Sequence, residues 1–258
     1  MINRTKTTIF FTILVVTHLL LSYYYFGKWW NASLGTLLIV GICYINWRKD
    51  FLQFSGLKVK MINVVVSVLL TGVIILISFS FIHYVALRQQ IRIEFAGWKN
   101  LCHNVFYILN EEIVFGSVIL FSLIRSKNVK PLAASIGLAF IFSTGHFIFY
   151  KWIFLDKGIL EISTLCTLFF IAVVRNNIIL YTGHIAYSWS LHFGWMFVMF
   201  GCNHIDVYTN TSMSELTRFN MYLGTTTMVV VSFLMAVGSL YLMLENRRND
   251  AVILHSDH

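Results

Sequence analysis

The chain has 258 residues, 58% hydrophobic and 12% charged, with a mean hydropathy of +0.74; soluble chains carry roughly a quarter charged residues, so a water-soluble globule is excluded. The net charge of +8 sits on Lys and Arg in short loops beside apolar runs, where orientation in a bilayer accounts for it, so no nucleic-acid partner is expected. Four cysteines, Cys43, Cys102, Cys166 and Cys202, stand singly in apolar segments, which excludes a disulfide framework or a CxxC site.

A helix crossing a membrane needs about 20 largely apolar residues. Eight segments approach that length: 8–26, 30–47, 62–86, 101–124, 131–150, 158–175, 184–202 and 219–244. The first exceeds a signal-peptide core of about 7–15 residues and has no small-residue cleavage site after it, so it is expected to be retained as a span. Between the third and fourth, LRQQIRIEFAGWKN mixes cations with Ile91, Ile93, Phe95 and Trp98; it reads as an interfacial segment along the membrane surface or as a plain solvated loop. No linker or soluble domain interrupts the series. The expected fold is all-α, one multi-pass transmembrane bundle of about eight spans over residues 1–258. With eight spans both termini share a side, which collects twelve Lys and Arg, Arg175 among them as a loop residue, against seven opposite. The positive-inside rule then places both termini in the cytoplasm.

Within the fourth span, YILNEEIVFGSVILFSLIR puts Glu111 and Glu112 in a run with no further charge until Arg125. An acid at bilayer depth costs a few kcal/mol even on lenient scales, so such residues face a bundle interior or a water cavity and mark function. Asn100, Asn104, Tyr107 and Glu111 follow at i, i+4, i+7 and i+11, a single polar stripe that suits a wet path to the acid. A buried structural network is the alternative. The fifth span carries Phe142 and His146 at i, i+4, and the seventh aligns His184, Ser188 and His192. A lone membrane histidine is more often a packing donor than a catalyst. Here three ionisable positions on three helices differ in depth by at most about 10 Å at 1.5 Å per residue, which helix tilt absorbs, so one constellation is expected.

The ordered motifs, Glu111-Glu112 followed by IVFG, Phe142 to His146, and His192 followed by FGWM, resemble those of the CAAX protease and bacteriocin-processing family, the glutamic-type intramembrane endopeptidases. The similar core covers residues 101 to 202, and the chain is identified as a divergent member. The resemblance implies an endopeptidase in which Glu111 and His146 activate water, His192 assists the oxyanion and Glu112 orients the site; helical spacing puts Asn104, Tyr107, Phe142 and Ser188 along the expected substrate and water path. It also implies a peptide or protein substrate with a membrane-associated segment, surrounding lipid, and a bacterial cytoplasmic membrane. Two positions depart from the motifs. Gly116 stands where the family has an arginine four residues after the second glutamate, so either another helix supplies a cation or Glu112 is protonated. Met196 stands at the asparagine of the third motif and cannot donate a hydrogen bond; Asn104, Asn110, Asn176 and Ser188 are candidate replacements.

Chemically, a carboxylate and a histidine around one water suit peptide hydrolysis without a covalent intermediate. No cofactor is expected. Zinc is the nearest rival, since one Glu and two His form a legitimate ligand set with an open position, although HExxH is missing. A non-catalytic scaffold or immunity protein on the same fold would account for Gly116 and Met196. A proton-coupled transporter would use Glu111 and Glu112 as a relay, but no internal repeat is visible.

Overall fold

The computed structural model describes residues 30–149 and 160–256, together with Ile13 and Thr17. The expected first span, 8–26, therefore lies outside the described residues apart from those two positions. Helix α1 (Asn31–Trp47) leads through a short 3-10 segment and a single helical turn (Phe51–Phe54) to α2 (Met61–Arg88). Strand β1 (Ile91–Phe95) follows, then α3 (Trp98–Glu111), which runs without a break into a π-helical stretch (Glu112–Ile119) and α4 (Leu120–Lys127). Helices α5 (Pro131–Phe149), α6 (Ile162–Thr182) and α7 (Ala186–Phe200) come next, then β2 (Cys202–Asp206). A turn at Glu215–Arg218 and a second π segment (Phe219–Leu223) precede α8 (Thr226–Ser256).

Four helical stretches are long and apolar enough to cross a membrane: Met61–Arg88, Trp98–Arg125, Ile162–Thr182 and Thr226–Glu245. The chain is thus a mostly helical transmembrane protein. The expected count of eight is not reached among the described residues, because α1 and α7 have 17 and 15 residues and the apolar part of α5 is the shorter Pro131–His146.

Two expectations are corrected. The segment read as interfacial or as a loop is a strand: β1 pairs antiparallel with β2, from Ile91 opposite Asp206 to Phe95 opposite Cys202. Its sequence Ile-Arg-Ile-Glu-Phe alternates with period two, the signature of a half-buried strand; Ile93 packs inward while Arg92 and Glu94 pair at 2.7 Å on the exposed side. The sixth helix does not stop at Arg175. Apolar residues resume after Arg175-Asn176-Asn177, and α6 continues to Thr182, where Gly183 in the left-handed region (φ 74) ends it. Burying those three polar residues against other helices costs less than breaking the backbone hydrogen-bond ladder in an apolar medium.

The helices sort by burial. Around α3 and α6, 67% and 56% of the apolar window is buried, against 22% for both α2 and α8. Core clusters of Ile113, Val114, Val118 and Ile179, and of Ile108, Phe193, Met199 and Tyr222, hold the central helices together.

Candidate active site

Glu111 closes the α-helical part of α3 and Glu112 opens the π-helical turn. π-turns inside α-helices recur at functional sites. Both acids are buried, Glu112 completely. Adjacent residues on a helix diverge by roughly 100°, and the two carboxylates use that divergence to straddle the His192 ring. His192 Nδ1–H donates to Glu112 Oε1 at 2.9 Å, and Nε2 lies 3.7 Å from Glu111 Oε2. The second oxygen of Glu112 accepts from Ser188 Oγ at 2.7 Å. Ser188 and His192, four residues apart, share one face of α7. Glu112 thus fixes the histidine's orientation and tautomer and leaves Nε2 turned toward Glu111.

His146 enters from α5. Its Nδ1–H donates to the Phe142 carbonyl at 2.8 Å, which makes Nε2 the acceptor nitrogen. Glu111, His192 and Arg175 are among the charged groups that act on it. The structure therefore brings Glu111, Glu112 and His192 together from α3 and α7, with His146 on α5 within electrostatic reach of Glu111 and His192. Phe142 and Ser188 are buried within the wall of this cluster, and His184 belongs elsewhere: its Nε2 accepts from Asn63 Nδ2 at 3.1 Å, at the start of α7.

A clamp sets α7 against the π turn. Ile185 N–H donates to the Gly56 carbonyl at 3.1 Å, and Ser117 Oγ donates to the Phe54 carbonyl at 2.9 Å. Gly56 has φ +69, and a Cβ there would stand 2.6 Å from both Ile185 Cγ2 and Ser117 Oγ. Only glycine satisfies both the backbone sign and the space.

Above the cluster, at the end of the bundle that carries the sheet, opens a cavity of about 440 Å³ whose wall includes Asn100, Asn104, Tyr107, Ile108, Met196 and Arg218. Three members of the polar stripe thus line it, and Glu111 lies one turn beyond Tyr107 and Ile108 on the same helix. Met196 lines the cavity one turn from His192. Of the four candidate donors for its missing amide, Asn110 is bonded to Thr36 and Ala32, Asn176 Nδ2 to the Ser135 carbonyl, and Ser188 to Glu112. Asn104 differs: it is 7% exposed and its Nδ2 has no hydrogen-bond partner among the described residues.

Sequence reasoning missed Arg175. Counted as a loop cation, it is 4% exposed in mid-α6, its guanidinium 4.2 Å from the Phe142 ring centroid. The signal was present, since uninterrupted apolar residues on both sides of Arg-Asn-Asn mark an intramembrane charge rather than a helix end.

Among the described residues no group of three or more His, Cys, Asp or Glu side chains is arranged to hold a metal ion. No family model, curated protein or solved structure matches the chain.

Proposed function

We propose that this protein is an intramembrane endopeptidase of the glutamic type, a divergent relative of the CAAX protease and bacteriocin-processing family, which cleaves a membrane-associated or exported peptide with activated water. The observation that carries the reading is His192, held at Nδ1 by Glu112 and facing Glu111 with Nε2, next to a cavity that leads out of the bundle. The 3.7 Å gap exceeds a hydrogen bond and is of the kind that tightens when substrate arrives.

In this reading Glu111, assisted by His146, takes a proton from water as its oxygen attacks the scissile carbonyl. The proton then moves from Glu111 to Nε2 of His192, and the resulting imidazolium, stabilised by Glu112, faces the oxyanion and gives that proton to the leaving amine as the C–N bond breaks. The remaining water proton stays with the new carboxyl group. The amide of Asn104 receives a backbone carbonyl of the bound peptide farther up the cavity. A metal-free mechanism needs no more groups than these.

The test is N-terminal profiling of membrane proteins from cells carrying the native protein or Glu111→Gln. The amide keeps the shape of the acid but cannot accept a proton. New N-termini present with the native chain and missing with the variant are expected; identical profiles would overturn the proposal.

The reading extends to topology. Counting residues 8–26, α1, α5 and α7 as crossings gives eight spans with cytoplasmic termini in a bacterial inner membrane, and the cavity then opens on the outer face. Moving Arg175 out of the loops lowers the cytoplasmic tally from twelve to eleven against seven, and the sign of the bias survives. In a cysteine-free background, Lys99→Cys at the cavity and Lys127→Cys at the opposite end report the side. A membrane-impermeant maleimide on intact cells should label the first alone. Label on the second alone would turn the cavity to the cytosol.

A further inference from the structure

A buried guanidinium in a transmembrane helix needs a reason, because an uncompensated charge in this medium is strongly disfavoured. Arg175 has few local partners. Among the described residues, its Nε and Nη2 reach only the side-chain oxygen of its neighbour Asn176, at 3.3 Å, and Nη1 has no hydrogen-bond partner. The charges that act on it are Glu112 first and Glu111 second. Space for this approach is left by one residue: a Cβ on Gly116 would stand 3.2 Å from Glu112 Oε2, 3.8 Å from Arg175 Nε and 2.8 Å from Ile179 Cδ1. On its other side the guanidinium covers the Phe142 ring, which meets the His146 ring edge to face at 4.7 Å. Arg175 therefore stacks on the ring that supports His146 and lies across the Gly116 gap from Glu112, without lining the cavity.

We propose that Arg175 is the positioning cation of the two-glutamate site, seated against the Gly116 gap, where it holds Glu112 as the anionic partner of His192 and Ser188. Its effect on hydrolysis is indirect. A Glu112 that loses its negative charge no longer supports an imidazolium on His192, and the ring's aim at Glu111 relaxes. That consequence rests on the endopeptidase reading, whereas the charge relation between Arg175 and Glu112 does not.

The experiment reads the carboxyl groups directly. Infrared spectra of the purified full-length protein in lipid at neutral pH are compared for the native chain, Arg175→Lys, Arg175→Met and the double variant Arg175→Met/Glu112→Gln. A carboxylate deprived of its counter-charge in a low-dielectric site takes up a proton, so Arg175→Met should gain a protonated-carboxyl C=O stretch that the native chain and Arg175→Lys lack, and the double variant should lose it again. An Arg175→Met spectrum without the band, or a band that persists when Glu112 is amidated, overturns the proposal. If Arg175→Met does not fold, the double variant decides. Removal of both charges should restore a folded, monodisperse protein, and a double variant as unfolded as the single one would assign Arg175 to packing alone. Relocating the cation, as Gly116→Arg/Arg175→Met, should suppress the band and recover N-terminal processing; recovered spectra without any processing in the native chain would fault the endopeptidase reading and leave the charge relation standing.

Discussion

The peripheral pair α2 and α8 and the central pair α3 and α6 invert the rule for soluble proteins. The most apolar windows, with mean hydropathies of 2.7 and 2.1, are the least buried at 22% each, and the less apolar ones, at 1.6 and 1.7, are buried to 67% and 56%. In lipid the solvent is itself apolar, so burying a leucine gains little and sorting is governed by the polar groups, which must find each other inside. Leu69, Leu76 and Ile77 on α2 are therefore 60–68% exposed, while Glu112, Asn176 and Ser117 are at 0%. The buried acids Glu111 and Glu112 and the buried cation Arg175 sit on these two less apolar helices because those are the ones that must be surrounded.

The sharpest way to break this comparison is to alter the acid that the central helices enclose. Glu111→Gln should reduce processing by at least about 10³-fold, within the range for losing a positioned general base, with insertion and thermal stability close to native, since the amide preserves volume. N-terminal profiling and a melting curve in detergent check both halves. A variant that melts far below the native chain would make Glu111 a structural member of the network instead.

The sorting also marks what could be read in advance. Glu111, Glu112, His146 and His192 announced themselves because each is an ionisable residue in an apolar run, and helical spacing aligned Glu111 with Asn104 and Tyr107. Arg175 was misread for the opposite reason: a charge beside two asparagines looks like the end of a span although apolar residues resume after them, and its place beside Gly116 and over the Phe142 ring shows that other helices wrap it. Strand β1 was hidden by its five-residue length and by a partner more than a hundred positions away. Local pattern cannot supply such long-range pairings, nor could it reveal that Gly116 is a gap filled from another helix.

Burial of polar groups continues outside the spans. His204 on β2 is fully buried, with Tyr222 Oη–H donating to Nδ1 at 2.7 Å and Nε2–H donating to the Val198 carbonyl at 2.9 Å. Burial, reinforced by the Arg218 charge, pushes its pKa down from 6.5 to about 4. The unfolded chain therefore binds more protons between these values, so the contribution is complete above pH 6.5 and is lost as pH falls toward 4. It amounts to on the order of 3 kcal/mol. Melting temperature measured from pH 7 to 4 should fall, and His204→Gln should flatten that slope.

Packing separates the two regions next. A Cβ on Gly194, in α7, would stand 2.6 Å from Ile74 Cγ2 and 3.3 Å from the Thr71 carbonyl of α2. Gly194→Val should thus cost about 1–3 kcal/mol by overpacking. Leu69→Ala, on the lipid face of the same α2, should change stability by less than about 0.5 kcal/mol. Equal losses at the two sites, read by thermal unfolding in lipid, would mean that α2 is covered on its outer face as well.

The smallest effect belongs to the cavity, which the proposed endopeptidase would give to its substrate. Asn104 is seven residues above Glu111, about 10 Å along the axis, too far to hold the carbonyl under attack but suited to one two or three residues away along an extended peptide. Its unpartnered Nδ2 offers one neutral hydrogen bond, worth about 0.5–1.5 kcal/mol. Because that bond is the same in ground and transition states, Asn104→Ala should raise KM about three- to tenfold and leave kcat unchanged. Once N-terminal profiling has supplied a cleaved sequence, a synthetic peptide spanning it gives both constants. A fall in kcat at constant KM would instead bring Asn104 to the oxyanion, and would require the upper turns of α3 to close on the substrate over Met196.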